Sequence, residues 1–155
     1  MTGLSEGQLQ VARLLFDLPE ARDFALAGGS ALLALGTIDR ATRDIDAFVA
    51  AKAETPPGNV GELAAALRDR LLAEGWAVEI DRRLVTFARF VVTRDAEAVE
   101  IDLAVDSPAL FPLEVVDGLP VLSGPDLAAR KVLAVLDRAE GRDFVTVAYI
   151  NTSAA

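Results

Sequence analysis

The sequence predicts a single α+β domain, and three observations support this fold class. Apolar residues in the stretch 60–74 follow the helical period. Three strand-like runs follow, at 78–80, 84–93 and 99–105. In the last run, apolar residues alternate with mostly acidic ones, so one face of that strand is expected in the core and the other is acidic. A chain of 155 residues can bury a core without disulfides or structural metal, and no repeat or linker divides residues 1–155.

The N-terminal part contains a predicted helix followed by a strand, a turn and a second helix. Leucines at helical spacing before Pro19 predict the opening helix, with Ser5 as its N-cap. The short apolar run 24–27 predicts a strand. Glycines and a serine at 28–30 then predict a turn into a short helix at 31–35.

The remaining elements are predicted by similar local signals. Residues 45–49 form a short strand-like run. Gly75 supplies a C-terminal stop for the predicted helix at 60–74. Ser123 is expected to cap a last helix that runs to about Arg138. The end, 142–150, is ambiguous between strand, by propensity, and helix.

Composition excludes several kinds of chemistry. The chain has no histidine and no cysteine, which removes Ser-His-Asp and Cys-His catalysis and the usual zinc sites. A net charge of -9 argues against a surface that coats nucleic acid, although a local basic groove stays possible. We find neither a membrane-spanning segment nor a secretory signal in the sequence, so a cytoplasmic location is expected.

Two aspartates at the start of the strand-like run 45–49 are the leading candidates for chemistry. Asp44 and Asp46 are two apart on an extended run, so their side chains share one face, with Cα atoms roughly 6.5 Å apart. Paired carboxylates need a cation between them, and such oxygen ligands suit Mg²⁺. A third carboxylate would complete a two-metal site; Asp102 is preferred, with Asp106 and Glu100 as alternatives.

A phosphate-binding turn is the second half of such a site. Gly28 and Gly29 allow backbone amides to approach an anion at a helix start, and Ser30 can add a hydroxyl. Ordinary tight turns use these residues about as often as phosphate-binding sites do. The turn is evidence for a phosphate site because of its spacing to the aspartate pair.

These residues resemble the signature of the nucleotidyltransferase superfamily. The turn at 28–30 is followed by Arg40-Ala41-Thr42-Arg43-Asp44-Ile45-Asp46, whose R-x-T-x-D-I-D form resembles the AbiEii/AbiGii toxin branch. A later run, from Asp126 through Lys131 and Arg138 to Asp143, is similar to the second conserved region of that branch.

The resemblance implies a minimal nucleotidyltransferase (polymerase-beta-like) fold, a small mixed sheet flanked by helices. It implies transfer of a nucleoside monophosphate from NTP to an acceptor hydroxyl with release of pyrophosphate. Two Mg²⁺ ions would be held by Asp44 and Asp46, Asp102 would hold the ion next to the attacking hydroxyl, and Lys131 would lie over the phosphates. The expected site comprises catalytic Asp44, Asp46, Asp102 and Lys131 and nucleotide-binding Gly28, Gly29, Ser30, Arg40, Thr42, Lys131, Arg138 and Asp143.

The sequence also departs from the family pattern. Thr146 stands where a second acidic residue is expected three places after Asp143, and many relatives continue beyond the position of Ala155 into a helical region that binds the acceptor. The resemblance implies a possible antitoxin as partner and RNA, including tRNA, as an acceptor. Two alternatives remain open: a small-molecule nucleotidyltransferase of the antibiotic-modifying kind, and a nucleotide-binding or interaction module without turnover.

Overall fold

A computed structural model describes residues 3–50, 59–107 and 109–138, with the side chains of all of these except 50, 137 and 138. The described part is an α+β arrangement of helices and one mixed sheet, as the sequence predicts. None of its helices is long and apolar enough to cross a membrane. Its helices, in chain order, are α1 (Glu6–Phe16), a 3₁₀ helix (Pro19–Ala21), α2 (Gly28–Ala34), α3 (Val60–Ala73) and α4 (Gly124–Arg138).

The sheet of the described residues has seven strands in the order β3-β4-β5-β2-β1-β7-β6. Its central pair, β2 and β5, is parallel, and β1 and β7 are also parallel. The other neighbours are antiparallel. The strands are β1 (Phe24–Ala27), β2 (Asp44–Ala50), β3 (Ala77–Arg83), β4 (Phe87–Arg94), β5 (Glu97–Asp106), β6 (Glu114–Val116) and β7 (Leu119–Val121).

Helix termini follow the local signals in the sequence. Ser5 caps α1 and forms a reciprocal capping box with Gln8, because the Gln8 amide donates to Ser5 Oγ and the Ser5 amide to Gln8 Oε1. Gly75, with a φ of 86°, follows the end of α3. The predictions of α1, α3 and the start of α4 after Ser123 are confirmed.

Two elements differ from the predictions. The segment 28–30, predicted as a turn, is the first turn of α2. The hairpin of β6 and β7 is absent from the predictions, although its Asp117-Gly118 turn, with φ values of 49° and 80°, is the pair that two-residue hairpins favour. The segment 142–150 lies outside the described residues.

The core lies on the apolar face of the central strands. Alternate residues of β5 (Val99, Ile101 and Leu103) are buried, and they belong to one cluster with Leu67 of α3 and Leu15 of α1. The expected alternation in β5 holds at Val99, Glu100 and Ile101, whereas Asp102 is itself buried and Val105 is only partly buried. Because alternate side chains of a strand point to opposite faces, the acidic residues of β2 and β5 face away from this core.

Candidate active site

The start of α2 leaves room for an aspartate side chain. Gly28 has a φ of 55°, in the left-handed region that favours glycine. A Cβ atom at Gly28 would overlap the Oδ2 atom of Asp46 on the neighbouring strand. Gly29 is less constrained, because its Cβ would meet Thr42 Oγ1 at an ordinary 3.5 Å. Glycine at 28 is therefore needed for Asp46 to occupy its position.

Ser30 supports the same aspartate from inside the protein. Its side chain is fully buried, and its hydroxyl donates to the carbonyl of Ala27 (2.9 Å). The same oxygen accepts the backbone N–H of Asp46 (3.2 Å). Sequence reasoning expected this hydroxyl to bind phosphate. In the structure it instead ties β1 to β2, because buried hydroxyls take internal partners.

Parallel pairing of β2 with β5 brings the predicted carboxylates together. Asp46 lies directly opposite Asp102, and Asp44 lies directly opposite Glu100. Asp106 is opposite residue 50, further along the pair. The register thus brings Asp102 beside Asp46 and Glu100 beside Asp44, and it separates Asp106 from both.

Asp102 already has a strong partner. Arg89 on β4 is its antiparallel neighbour, with Nε 2.7 Å from Oδ1 and Nη2 2.8 Å from Oδ2. Such two-pronged pairs are stronger than neutral hydrogen bonds. The pair raises the pKa of Arg89, first through the hydrogen bond and then through the charge of Asp102.

Two carboxyl groups of the site, those of Asp46 and Glu100, have raised pKa values. Burial, and after it the charges of Asp102 and Asp44, raise the pKa of Asp46 from its ordinary 3.8 to about 7. Lys131 and Arg89 act in the opposite direction. A side-chain hydrogen bond with Asp44 is the main reason that the pKa of Glu100 is raised. This accumulation of carboxyl groups is typical of a site that receives cations.

One face of α4 closes the other side of the site. Leu127, Arg130, Lys131 and Ala134, spaced along one helical face, all line the pocket that contains the aspartates. Arg130 is ion-paired with Asp106, and its Nη2 donates to the carbonyl of Ser107 (2.7 Å). These contacts anchor α4 to the end of β5 and occupy Asp106.

The segment before β2 carries the remaining residues of the first motif. Arg40 is exposed and lines the pocket, as does Thr42. Thr42 Oγ1 accepts the amide of Asp44 (3.4 Å), and the buried side chain of Gln8 donates to the Thr42 carbonyl (2.7 Å). Helix α1 therefore helps to hold the segment that leads into the aspartate pair.

Asp126, the first residue of the second motif, has a structural position. It is buried, and its carboxylate accepts the amides of Leu110 (2.9 Å) and Phe111 (3.0 Å). The Ser123 hydroxyl also donates to it (3.1 Å). Asp126 thus fastens the segment after β5 to the first turn of α4.

Most of the predicted site residues line one pocket of about 430 Å³. Ser30 does not line it, and Asp143 and the side chain of Arg138 lie outside the described residues. Arg89 and Arg130 were missed by sequence reasoning. The signal for Arg89 is a lone arginine within the apolar run of β4, but only the register shows which carboxylate it meets. The predicted residues in the pocket are Gly28, Gly29, Arg40, Thr42, Asp44, Asp46, Asp102 and Lys131.

The donor set fits Mg²⁺ that is shared with a substrate. Within the described ranges, no group of three or more acidic side chains is arranged so that it could hold a metal ion by itself. Mg²⁺ usually takes one or two carboxylates and completes its shell with water and substrate phosphates. Asp44, Asp46 and Asp102 on one pocket face can supply such a partial set, with Gly28 leaving space at Asp46.

Comparison with solved structures shows which proteins share this fold. JHP933 of Helicobacter pylori aligns with a TM-score of 0.58 and 20% identity, over 93% of this chain and 66% of that one. A second H. pylori protein, described provisionally as a nucleotidyltransferase, aligns with a TM-score of 0.56 and 21% identity, over 90% and 66% of the two chains. The chain spans just under two thirds of the length of either protein. At these identities the matches show a shared fold.

Comparison with curated proteins finds no match. A family model described as the nucleotidyl transferase AbiEii toxin of a type IV toxin–antitoxin system matches residues 12–153. This range covers most of the chain and both motifs, so the resemblance seen in the sequence is confirmed. The chain belongs to the AbiEii family of nucleotidyl transferase toxins.

Proposed function

We propose that the protein is a Mg²⁺-dependent nucleotidyltransferase that moves a nucleoside monophosphate from an NTP to an acceptor hydroxyl. The observation that carries this proposal is the cross-strand register of Asp46 and Asp102 on the wall of a pocket that Lys131 also lines. Membership of a nucleotidyl transferase family supports the same reaction class.

In the proposed reaction, the acceptor oxygen forms a bond to the α-phosphorus of the NTP, and the bond from that phosphorus to the β-phosphate oxygen breaks. Pyrophosphate leaves, and the proton of the hydroxyl is released. Such transfers depend mainly on positioning and charge neutralisation, so a chain without histidine can perform them. Bound Mg²⁺ would supply neutralisation of the transferring phosphate and of the leaving pyrophosphate.

The carboxylates divide the binding of two ions between them. Asp44 and Asp46 would hold both ions, and Asp102 would be a further ligand to one of them. Gly28, by lacking a Cβ, permits Asp46 to face the pocket. The buried Ser30 hydroxyl fixes the backbone of Asp46 and thereby positions a ligand.

Basic residues at the pocket wall bind the triphosphate. Lys131 on α4 lines the pocket with the aspartates and its charge partly offsets the rise in the pKa of Asp46, and Arg40 lines the same pocket. Both present cationic side chains to a polyanionic substrate. Arg138 and Asp143 belong to this proposal on the strength of the motif alone.

The test is incorporation of labelled NTPs in the presence of Mg²⁺ and cell RNA or metabolites. Asp46→Asn is expected to lower turnover at least about 10³-fold, because it removes a charged metal ligand. The matched control is Asp69→Asn on α3, whose side chain is 70% exposed and pairs with its neighbour Arg68; it should retain full turnover. Incorporation by Asp46→Asn equal to that of the unmodified chain would refute the proposed site.

A toxin role with RNA as the acceptor is part of the same proposal, and it rests on the family description. The partner would be a separately encoded antitoxin, and NTP as substrate puts the place of action in the cytoplasm. Induced expression should slow bacterial growth, whereas Asp46→Asn should not. Sequencing of the labelled RNA would then identify the acceptor, with tRNA as the first candidate.

Net acidity favours a second candidate acceptor. A chain with a net charge of -9 suits a cationic small molecule, such as a cationic antibiotic, better than a polyanion. Labelling of such a compound without labelling of RNA would support a small-molecule acceptor over RNA. A third reading, a nucleotide-binding module without turnover, predicts NTP binding by calorimetry together with no pyrophosphate release.

A further inference from the structure

The guanidinium of Arg89 occupies both oxygens of the proposed third metal ligand. Nε and Nη2 each donate to a different oxygen of Asp102, at 2.7 and 2.8 Å. The Asp102 side chain is only 13% exposed, so water competes little for these oxygens. A cation that approaches Asp102 therefore meets a carboxylate that already has a positive partner.

The surroundings allow Arg89 to leave this position. Its side chain is 39% exposed and borders the pocket. The ring of Phe87 lies next to it, with 5.6 Å between the ring centroid and Arg89 Cζ. A stack of this kind can retain a guanidinium after it leaves a carboxylate.

Charge explains why an arginine lies here. Asp44, Asp46, Glu100 and Asp102 form two directly opposed pairs across β2 and β5. Like charges this close are unfavourable unless a cation is near. Arg89 supplies that cation to Asp102 from within the protein.

We propose that Arg89 is a built-in counter-ion of Asp102 that competes with the divalent ion beside the acceptor hydroxyl. The inference rests on the proposed function, because it assumes that Asp102 receives a metal ion. An ion held by Asp44 and Asp46 alone would experience only the charge of Arg89 at a distance, whereas binding at Asp102 requires Arg89 to release its carboxylate. Arg89 is thus a positioning residue that sets the affinity of one of the two ions.

The experiment measures Mn²⁺ binding by calorimetry and by electron paramagnetic resonance, without turnover. Arg89→Met keeps the apolar stem against Phe87 and removes the charge. Arg89→Met should bind Mn²⁺ about tenfold more tightly at one site, because the ion no longer has to displace a charged, hydrogen-bonded partner from Asp102. The control Arg68→Met removes one positive charge from a side chain on α3 that is 41% exposed, and it should leave Mn²⁺ affinity unchanged.

A double-mutant cycle ties the gain to Asp102. Asp102→Asn and Arg89→Met/Asp102→Asn should bind Mn²⁺ with equal affinity, because the competition is gone in both. If Arg89→Met does not fold, Arg89→Lys takes its place. It keeps the charge but loses the two-pronged contact, so it should bind Mn²⁺ more tightly than the unmodified chain but by less than the tenfold expected for Arg89→Met. Thermal unfolding gives a second readout: Mn²⁺ should raise the Tm of Arg89→Met more than that of the unmodified chain.

The outcomes separate this inference from the proposed function. Equal Mn²⁺ affinity in the unmodified chain and Arg89→Met, or weaker binding by Arg89→Met, would overturn the counter-ion role and leave the metal-dependent activity standing. Absence of Mn²⁺ binding in every variant, in the presence as in the absence of NTP, would overturn both.

Discussion

The two faces of the central strands have opposite chemistry, although successive residues of one strand contribute to them in turn. On one face of β5, Ile101 is fully buried in the core, and on the other its neighbour Asp102 faces Asp46 and Arg89. One face gains stability from burial, and the other concentrates like charges at a cost in stability. Neighbouring substitutions should therefore separate the free energy of folding from activity.

The largest expected effect tests this contrast on adjacent residues. Ile101→Ala should lower the free energy of unfolding by about 3 kcal/mol, through lost burial and a cavity, while the folded fraction keeps its activity. Asp102→Asn should lower turnover about 10²-fold or more and change stability far less. Urea denaturation and labelled-NTP incorporation measure the two quantities. A similar stability loss in both variants would contradict the division between the faces.

A methyl group at the start of α2 should damage the site and the backbone together. Gly28→Ala forces a side chain into a left-handed conformation and against Asp46 Oδ2. We expect a loss of about 2 kcal/mol of stability and a fall in Mn²⁺ affinity. Gly36→Ala is the matched control, since Gly36 also has a positive φ (70°) but meets no atom within 4 Å. It should lose stability but keep Mn²⁺ affinity.

Stability should depend on pH through Asp46. Its pKa rises on folding from 3.8 to about 7, so between these values the folded state holds a proton that the unfolded state has released. The free energy of unfolding therefore falls as the pH rises from about 4 to 7, by at most about 1.4 kcal/mol per pH unit.

Urea denaturation of the metal-free protein at several pH values measures this slope. Asp46→Asn should remove its part of the slope, since an amide does not titrate in this range. Mg²⁺ affinity should rise over the same range, because the ion binds the ionised carboxylate. Equal slopes with and without the substitution would show that Asp46 does not carry the shift.

The smallest expected effect concerns the hydroxyl behind Asp46. Ser30→Ala removes the hydrogen bonds to the Ala27 carbonyl and from the Asp46 amide, at a cost of about 1 to 2 kcal/mol of stability. Turnover should fall severalfold through a misplaced Asp46. Ser30→Thr, which keeps the hydroxyl, should recover part of the stability lost. No stability loss in Ser30→Ala would show that water replaces the hydroxyl.

Local signals in the sequence predicted most of the elements but not their partners. Ser5, Gly75 and Ser123 mark helix ends because capping is a short-range interaction. The shared face of Asp44 and Asp46 also follows from the period of a strand. These inferences need only residues a few places apart.

The partners of Asp102 required long-range information. Its position opposite Asp46 depends on parallel pairing of β2 with β5, and its contact with Arg89 depends on the register of β4. Neither register is determined by residues within one strand. The interior position of Ser30 was missed for a related reason, since the sequence shows its hydroxyl but not the strand amide that it accepts.

The pairing of β2 with β5 also predicts where the chain can change its length. Deleting one residue within β2 would exchange its two faces, so that Ile45 rather than an aspartate would approach Asp102. The connection between β3 and β4 has exposed Leu84 and Val85 and carries no residue of the site. Members of the family should therefore vary in length at this connection while the spacing from Asp44 to Asp46 stays fixed.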